Sequence, residues 1–492
     1  MPPLEIIASR RVSEQLQEQF AVLSGDRNPM HMDPVAARRT QAGLPVVHGV
    51  HTLLWALESL VASGRIHSPL IRVKVKFLRW VYIEDEAELA LANDEGCDPK
   101  SLLVQVHGLP VLAADLLYGD PVAIQSEVVL QPSPAAPLSR ALDLSFAELD
   151  DRCGDIFTAL AEDSSALFPK LAALISGGAV AEIAACSYIV GMEAPGLHSM
   201  FSKLDLTIGR VTQPASARTA LNYRVTSHDE RFRKARIAVL GQFIAGTLDV
   251  FIRVPPVAQA SMAAAAALVN PSEFAGMRAL IIGGSRGLGE ITAKLIAAGG
   301  GIPTITYALG KAEAESVVDQ IMVGGGQATT MAYDVRKAPL PQFEAISSLP
   351  THLFYFATNT IFKPKKGVLS GPMLAEFVQF YVQGFYDLCT ALTDLRAAQK
   401  ATGSKLIVFY PSTVFIDERP AGMTEYAMIK AAGEQLCADM NIYLPDLEVV
   451  AYRLPKLPTD QTAGVIPERS TDAAEAILPL VRRVYSLSTV AD

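Results

Sequence analysis

Residues 20–33 read FAVLSGDRNPMHMD, and this segment decides how the N-terminal part of the chain is interpreted. It places Asp26 and His31 five residues apart, with the turn-forming residues Asn28 and Pro29 between them. A carboxylate and an imidazole on one tight loop can share a water molecule and add it to, or remove it from, a double bond next to a thioester carbonyl. Taken singly, Asp26 could be a helix cap and His31 a surface turn residue. Because packing does not require such a polar cluster, the combined pattern favours a catalytic pair.

A second feature lies just downstream, where Val47-His48-Gly49 opens an apolar stretch predicted to be a helix from about Val50 to Ala62. The first N–H groups of a helix have no partner within it and lie at the positive end of the helix dipole. Gly49 has no side chain, so a substrate can approach its backbone closely. A thioester carbonyl that develops enolate charge needs such donors, and we therefore predict an oxyanion hole at Gly49.

Ser24-Gly-Asp-x-Asn-Pro-x-His-x-Asp33 followed by Val47-His-Gly49 resembles the signature of MaoC-like (R)-specific enoyl-thioester hydratases and dehydratases. The resemblance covers about residues 10–125 and implies the hot-dog fold, in which a curved antiparallel sheet wraps a central helix. By position, it makes the aspartate and histidine of the first motif the catalytic pair and the glycine of the second the oxyanion donor. Some relatives place a serine in the following helix, where this chain has Leu57.

The catalytic hot-dog domain is expected to span residues 1–130. Its predicted strands include Ile71–Phe77, which alternates apolar and charged residues with the period of two typical of a half-buried strand. A Pro-rich break at 131–137 follows, and residues 138–255 then repeat the plan, with a long helix predicted over 166–190 and alternating segments after it.

The second hot-dog half is expected to be non-catalytic, because it has no Asp-x4-His motif. Its Pro195-Gly-Leu-His198-Ser199 segment resembles the corresponding region of MaoC-like halves that have lost catalysis, and a structural role is favoured for His198 over a catalytic one. We expect this half to pair its sheet with the first and to build one side of an acyl tunnel.

The pattern changes after a predicted linker at 256–275, which contains Pro-Pro and polyalanine. In residues 276–492, short apolar strands alternate with helical patterns, which predicts a Rossmann-type, doubly wound parallel sheet. Between the first strand and the first helix, residues 280–289 read LIIGGSRGLG. Glycines at this position let the backbone and the helix N-terminus approach a pyrophosphate, so we predict a dinucleotide site.

The Gly-x3-Gly-x-Gly spacing resembles that of short-chain dehydrogenase/reductases over about residues 276–490. Tyr426-Ala-Met-Ile-Lys430 matches the family's Tyr-x3-Lys element, whose side chains share one helical face. The ammonium is expected to lower the pKa of the phenol, which then exchanges a proton with the substrate oxygen. Ser412 is expected to hydrogen-bond the carbonyl, with Thr413 as an open alternative. The cofactor residues expected from the resemblance are Gly283, Ser285, Arg286, Gly287, Leu288, Gly289, Asp334, Val335, Ala357, Tyr426, Lys430 and Pro455.

This part of the chain departs from the family in two places. The usual Asn-Asn-Ala-Gly is Phe356-Ala-Thr-Asn359 here, and Tyr381 stands where an asparagine normally orders a proton-relay water. An acidic residue after the second strand would favour NAD, but residues 306–311 contain none and Arg286 lies in the glycine loop. NADP(H) is therefore expected rather than NAD(H).

Composition restricts the class of protein. Half of the 492 residues are apolar and the net charge is −9, which fits a globular chain and argues against nucleic-acid binding. The five cysteines are scattered, which favours reduced thiols and no metal site. We expect a cytoplasmic protein, since neither a secretory signal nor an apolar run of about 20 residues is present.

Together these features predict a 3-oxoacyl-thioester reductase fused to a 3-hydroxyacyl-thioester dehydratase or (R)-enoyl hydratase, in fatty-acid or polyketide-type metabolism. The substrate would be carried by coenzyme A or an acyl carrier protein. The basic run Lys363–Lys366 is a candidate dock for an acidic carrier, although a solvated loop is the more ordinary interpretation. By family analogy a homodimer is expected. The alternatives are a reductase domain that only binds or scaffolds, and one that reduces an unrelated ketone.

Overall fold

The computed structural model describes residues 4–92, 98–124, 137–210, 219–344, 346, 348–361, 365–399, 404–460 and 472–489. These residues form two compact units, one up to Pro255 and one from Pro256. Cys97, Lys363 and residues 131–136 of the Pro-rich break lie outside the described residues.

The described strands of the first unit form a single antiparallel sheet. Its strands are β1 (Leu4–Arg11), β2 (Leu70–Phe77), β3 (Glu86–Ala92), β4 (Ser101–Val106), β5 (Leu109–Tyr118), β6 (Cys153–Phe157), β7 (Ser199–Ile208), β8 (Ala220–Asp229), β9 (Lys234–Leu240) and β10 (Ile244–Ile252). The order is β1-β3-β4-β5-β2-β7-β10-β9-β8-β6. Strands β2 and β7 are neighbours at the centre of the sheet. Outward from β2 lie β5, β4, β3 and β1, and outward from β7 lie β10, β9, β8 and β6. The strands follow the same relative order in both directions, so the sheet consists of two equivalent halves. The predicted double hot dog is confirmed.

The two halves join where β2 pairs antiparallel with β7, from Arg72 opposite Thr207 to Lys76 opposite Lys203. The alternation in β2 explains this position: Val73 is buried on one face, while Arg72 and Lys76 are exposed on the other. A single buried apolar cluster continues across both halves. Burial of that shared core, rather than sheet hydrogen bonding alone, stabilises the pairing.

The helices of this unit pack with the sheet around the shared apolar core. They are α1 (Glu14–Ser24), α2 (Pro29–Met32), α3 (Pro34–Ala37), α4 (Gly49–Ala62), α5 (Ala161–Leu167), α6 (Pro169–Ile175) and α7 (Gly177–Tyr188), with a π-helical turn at Ile189–Glu193. Helix α4 begins where the apolar stretch predicted it, and its buried residues lie on all sides. Helix α7 is the corresponding central helix of the second half.

The single helix predicted over 166–190 is wrong, because the chain breaks twice there. Pro169 begins α6, since proline has no N–H to donate but is accommodated in the first turn of a helix. Ser176 then takes φ 85° ahead of Gly177, which ends α6 and starts α7 as a separate helix. The segment that precedes the central helix in the second half is therefore 158–176, not the His198 region. It corresponds to the Asp26–His31 loop and carries no Asp-x4-His pair.

The described strands of the second unit form one parallel sheet. Its strands are β11 (Arg278–Ile282), β12 (Ile302–Tyr307), β13 (Thr329–Ala332), β14 (His352–Tyr355), β15 (Leu406–Thr413) and β16 (Leu447–Leu454). The order β13-β12-β11-β14-β15-β16 is the 3-2-1-4-5-6 order of the Rossmann fold. The predicted doubly wound architecture is confirmed.

Helices cover both faces of this sheet and bury separate apolar clusters against it. They are α8 (Met262–Ala266), α9 (Gly287–Ala298), α10 (Lys311–Val323), α11 (Pro339–Gln342), α12 (Gly371–Val378), α13 (Gly384–Ala398), α14 (Phe415–Glu418), α15 (Thr424–Tyr443) and α16 (Ala473–Thr489), with a π-helical turn at Gln379–Gln383. The expected linker at 256–275 belongs to this unit, because Met262, Ala265 and Phe274 are buried in its core.

A single helix that crosses a membrane must be both long and apolar. Among the described helices, none alone is long and apolar enough. One bent pair, Pro169–Ile175 with Gly177–Glu193, satisfies length and composition together, at a bend of 110°.

Candidate active sites

The first site is built on the loop between α1 and α2. Gly25 ends α1 in the left-handed conformation, with φ 79°, and turns the chain so that Asp26 points inward. The Asp26 side chain is almost fully buried and accepts the backbone N–H of Asn28 at 3.0 Å. Asn28 caps α2 by accepting the N–H of Met30, and Pro29 begins that helix. The turn chemistry predicted from the sequence is present in this loop.

His31 lies on α2 and is oriented by a backbone group. Its Nδ1 lies 2.7 Å from the carbonyl oxygen of Val46. A carbonyl can only accept, so Nδ1 carries the proton and the neutral ring keeps a lone pair on Nε2. Burial lowers the pKa of His31, although the carboxylate of Asp26 partly opposes the shift. The imidazole is therefore neutral near pH 7 and able to accept a proton through Nε2.

The pKa of Asp26 is raised, whereas that of His31 is lowered. Burial raises the pKa of its carboxyl group, while the neighbouring imidazole of His31 and hydrogen bonds from Ser187 and the Asn28 backbone lower it. The Ser187 hydroxyl donates to Asp26 Oδ2 at 2.7 Å. Ser187 lies on α7 in the second half, 161 residues away in the chain, and the sequence contained no signal for this contact. Leu57, at the position where some relatives have a serine, is fully buried in α4.

Gly49 is the first residue of α4, as predicted. A Cβ atom on it would lie 2.9 Å from the ring of Phe77, so this position has no room for a side chain. The N-cap residue, His48, makes no side-chain capping bond among the described residues, because its Nε2 instead donates to the backbone oxygen of Asp26 at 3.1 Å. The N–H groups of the first turn therefore stay available to a substrate oxygen.

One pocket contains all three predicted groups of this site: Asp26, His31 and Gly49 line it together. Its walls are mainly apolar and come from both halves; they include Phe77, Trp80, Val111, Val190, Met200 and Phe201. His198 is not among the described lining residues, and its Nε2 lies 3.4 Å from Asp143 Oδ1. A mainly apolar pocket with a few convergent polar groups is typical of a small-molecule site.

The same cluster has the composition of a possible metal site. Ligand atoms of Asp26, His31 and His48 lie within 4.8 Å of one another. His48 uses the proton of its Nε2 to bond the Asp26 carbonyl, so that nitrogen offers no lone pair in this arrangement. The acid–imidazole pair accounts for the cluster without an ion.

The second site begins at the glycine loop, between β11 and α9. Gly283 has φ 78°, and a Cβ on it would meet the backbone of Phe356 and Ala357 at 2.9–3.0 Å. A Cβ on Gly289 would lie 2.3 Å from the Gly283 oxygen. Gly287 begins α9 with φ 58°, and among the described residues its first turn has no side-chain cap. These open N–H groups at a helix N-terminus fit a dinucleotide pyrophosphate.

The other predicted cofactor residues surround this loop or follow neighbouring strands. Ser285 is buried and Leu288 partly buried within it, Val335 is buried, and Pro455 is exposed just after β16. Asp334 accepts two hydrogen bonds from the Arg336 guanidinium, which lowers the pKa of its carboxyl group.

Arg286 is not a free cation. Its Nη1 lies 3.1 Å from Asp460 Oδ2, and Asp460 also accepts the N–H of Val257. The residue expected to meet a 2′-phosphate is thus partly neutralised by a carboxylate. Lys311, at the start of α10, is exposed and lies 3.7 Å from Glu315.

Tyr426 and Lys430 lie one turn apart on α15, as their spacing predicted. Gly433, in the next turn, has no room for a Cβ because the Tyr410 hydroxyl would be 2.1 Å away, so β15 and α15 approach closely. Lys430 Nζ donates to the Pro411 carbonyl at 2.6 Å. It also lies over the rings of Tyr381, Tyr410 and Tyr426, at 4.2, 4.7 and 5.7 Å from their centroids.

The expected lowering of the Tyr426 pKa is wrong for this arrangement. Burial raises the pKa of Tyr426 and lowers that of Lys430 to about 7. The reason is that both groups are removed from water, and the low-polarity surroundings disfavour phenolate and ammonium alike.

The two candidates for the carbonyl donor differ in their partners. Ser412 donates its hydroxyl to Glu434, which Arg453 also holds, so the Ser412 proton is committed. Thr413 accepts the N–H of Phe415 and donates to none of the described residues. This geometry favours Thr413 over Ser412 as the hydroxyl available to a substrate oxygen.

Tyr381, the residue in place of the family's helix asparagine, lies in the π-helical turn between α12 and α13. Its hydroxyl bonds to Thr358, and its backbone oxygen accepts the Tyr410 hydroxyl at 3.1 Å. The backbone oxygen at this position is therefore already occupied by a protein group.

Lys365 of the expected carrier-docking run pairs with the buried Glu425. That contact leaves fewer cations for an acidic partner than the sequence suggested.

Parts of this chain are similar to known proteins. Residues 3–105 match the model of the MaoC like domain family. An uncharacterized oxidoreductase of Methylorubrum extorquens is 26% identical over 163 residues, 33% of this chain and 64% of that protein. A 3-hydroxyacyl-thioester dehydratase X of Mycobacterium tuberculosis is 26% identical over 113 residues, 23% of this chain and 38% of that protein. The chain thus spans less than two thirds of either curated relative.

Among solved structures, one similar protein is a 3-oxoacyl (acyl-carrier-protein) reductase from Agrobacterium tumefaciens with NADP bound. It is 19% identical, with a TM-score of 0.37, over 44% of this chain and 88% of that one. Residues 3–105 are therefore a MaoC-like domain, and the second unit has the strand order of a Rossmann-type fold.

Proposed function

We propose that this protein is a bifunctional acyl-thioester enzyme, with a hydratase/dehydratase site in its first unit and an NADP(H)-dependent 3-oxoacyl reductase site in its second. The observation that carries the proposal is the single pocket in which Asp26, His31 and Gly49 converge within apolar walls. The pocket suits an acyl chain, and the three groups suit addition of water beside a thioester.

In the hydration direction, Asp26 and His31 Nε2 hold one water molecule through its two hydrogens. The water oxygen adds to C3 of the 2-enoyl thioester as a proton passes to this pair. The negative charge that develops on the thioester oxygen is stabilised by the Gly49 N–H at the start of α4. A proton then returns from the pair to C2, and the product is the 3-hydroxyacyl thioester. Dehydration follows the same steps in reverse.

The reductase assignment is supported by the open N-terminus of α9, the glycine loop and the Tyr426–Lys430 pair. A bound nicotinamide would supply the hydride for the C3 ketone. Tyr426 would give a proton to the resulting oxygen, Thr413 would hold that oxygen by a hydrogen bond, and Lys430 would lie beside the phenol. NADP(H) is proposed over NAD(H), because no acid follows β12 to bond the ribose hydroxyls.

The two activities act on the same carbon. Reduction converts a 3-oxoacyl thioester into the 3-hydroxy form, which is the substrate for dehydration at the other site. We propose coenzyme A or an acyl carrier protein as the carrier, in fatty-acid or polyketide-type metabolism in the cytoplasm, and a homodimer as the assembly.

The test supplies purified protein with NADPH and 3-oxobutanoyl thioesters on both carriers. Loss of NADPH absorbance reports reduction, and mass analysis distinguishes hydroxy from enoyl products. We expect Tyr426→Phe to abolish reduction, and Asp26→Asn to abolish only the conversion between hydroxy and enoyl thioesters.

Two results would change the proposal. If NADPH is untouched while added enoyl thioester is hydrated, the second unit is a binding module or reduces another ketone. If enoyl thioester is not hydrated either, the assignment of the first unit fails as well. Light scattering on the same samples tests the homodimer.

A further inference from the structure

We infer that Ser187, on the central helix of the non-catalytic half, is a positioning residue that orients the Asp26 carboxylate for catalysis in the other half. This role rests on the proposed hydratase function. It assigns the second half a direct part in the chemistry, beyond completing the sheet and the pocket wall.

The direction of the Ser187 hydrogen bond is the first step of the argument. A buried serine within a helix commonly bonds the carbonyl one turn earlier, as Ser164 does with Leu160 at 3.3 Å. Ser187 instead donates across to Asp26 Oδ2 at 2.7 Å, and both side chains are buried. The hydroxyl thus bridges two halves that are far apart in the chain.

The second step is that the surrounding backbone is shaped for this loop. The Asn28 side chain donates to the carbonyl oxygens of Gly191 at 2.7 Å and Gly196 at 3.2 Å. The Tyr188 ring lies 3.1 Å from where a Gly25 side chain would begin. The end of α7 and the turn after it therefore hold residues 25–28 from several sides.

The third step concerns what the contact does to the carboxylate. In the described structure, Asp26 is held by the Asn28 N–H on one oxygen and by Ser187 on the other. Two donors on separate oxygens define the plane of the carboxylate, and hence the direction of the lone pair that meets the water. Ser187 also lines the pocket, so it lies at the reacting end and not behind it.

Ser187→Ala is the direct test, with Ser164→Ala as the matched control in the same half. Losing a hydrogen bond to a charged group is expected to lower kcat for hydration of 2-butenoyl-CoA by roughly 10- to 100-fold, with little change in KM. The donor favours the ionised carboxylate, so its removal is expected to move the acidic limb of the pH–rate profile to higher pH. Ser187→Thr, which keeps the hydroxyl, should recover most of the rate.

A second measurement does not depend on turnover. Carbon-13 labelling of aspartate carboxyls follows the Asp26 titration by NMR in the full-length protein, with Asp26→Asn identifying the signal. We expect Asp26 to titrate at higher pH in Ser187→Ala than in the wild type and in Ser164→Ala.

An unchanged titration, or a Ser187→Ala enzyme with wild-type kcat and pH profile, would overturn the inference. Equal losses in the Ser164→Ala control would do so too, because they would indicate a general packing effect. If the wild type hydrates no enoyl thioester, the proposed function fails, and the carboxyl titration alone decides the positioning role.

Discussion

Replacing Gly191 with alanine would place a methyl group against the Asp26 carboxylate. An ideal Cβ on Gly191 lies 2.4 and 2.5 Å from the two carboxylate oxygens, whereas ordinary contact begins at 3.4 Å. One of the two groups must therefore move by about 1 Å. Gly191 does not have a positive φ, so its backbone conformation accepts alanine and the collision with Asp26 is the main effect.

The size of the effect follows from that displacement. A misplacement of about 1 Å in a reacting group can cost about 100-fold in rate. Overpacking of a buried site also costs about 1–3 kcal/mol of stability, which a folded chain can tolerate. We therefore expect Gly191→Ala to lower hydration of 2-butenoyl-CoA at least 100-fold in a protein that remains folded.

The assay follows loss of the ultraviolet absorbance of the conjugated thioester. Gly119→Ala is the control in the same unit, because a Cβ there meets only the flexible end of Ile71 at 3.2 Å. NADPH-dependent reduction by the same samples and a thermal melt report folding. Wild-type hydration by Gly191→Ala would refute the reasoning, since it would mean that Asp26 does not need its observed position.

Three further predictions test the second unit. Thr413→Val is expected to lower the reduction rate by at least tenfold and Ser412→Ala by less, as measured by NADPH consumption; the reverse order would restore Ser412 as the carbonyl donor. Asp460→Asn removes the negative charge beside Arg286 and is expected to lower the KM for NADPH by about tenfold, the value of one charge-assisted hydrogen bond, while the KM for NADH stays constant. Burial lowers the pKa of Lys430 from 10.5 to about 7, so the unfolded chain binds one more proton between these values and stability should rise with pH across them. Lys430→Met should flatten that slope in melting temperature, and an unchanged slope would contradict it.

Local patterns were sufficient to predict most of the secondary structure. The alternation in Ile71–Phe77 and the apolar run after Gly49 recur as β2 and α4, because the side-chain period of a strand or helix is set by its own backbone. The expected helix over 166–190 failed because Pro169 and Ser176 break it. An apolar composition is compatible with one helix or several, so composition alone did not locate those breaks.

In the candidate sites, too, contacts between residues close in the chain could be predicted and contacts between distant residues could not. Asp26 and His31, like Tyr426 and Lys430, lie close together in the chain, so their spacing was enough to predict that they meet. The choice between Ser412 and Thr413 depended on which hydroxyl Glu434 accepts, a contact across 22 residues. The spacing to Tyr426 could not decide between the two hydroxyls, because Ser412 and Thr413 are adjacent at the end of the same strand.

The sequence by itself determined the two fold classes, the motif loops and the residues with the right chemistry. Only the tertiary structure decided that Ser187 and Gly191 of the second half hold Asp26, that Asp460 neutralises Arg286, and that burial raises the pKa of Tyr426. The physical reason is that backbone periodicity and turn formation are local. Hydrogen-bond partners, steric room and loss of water are decided where distant segments pack together.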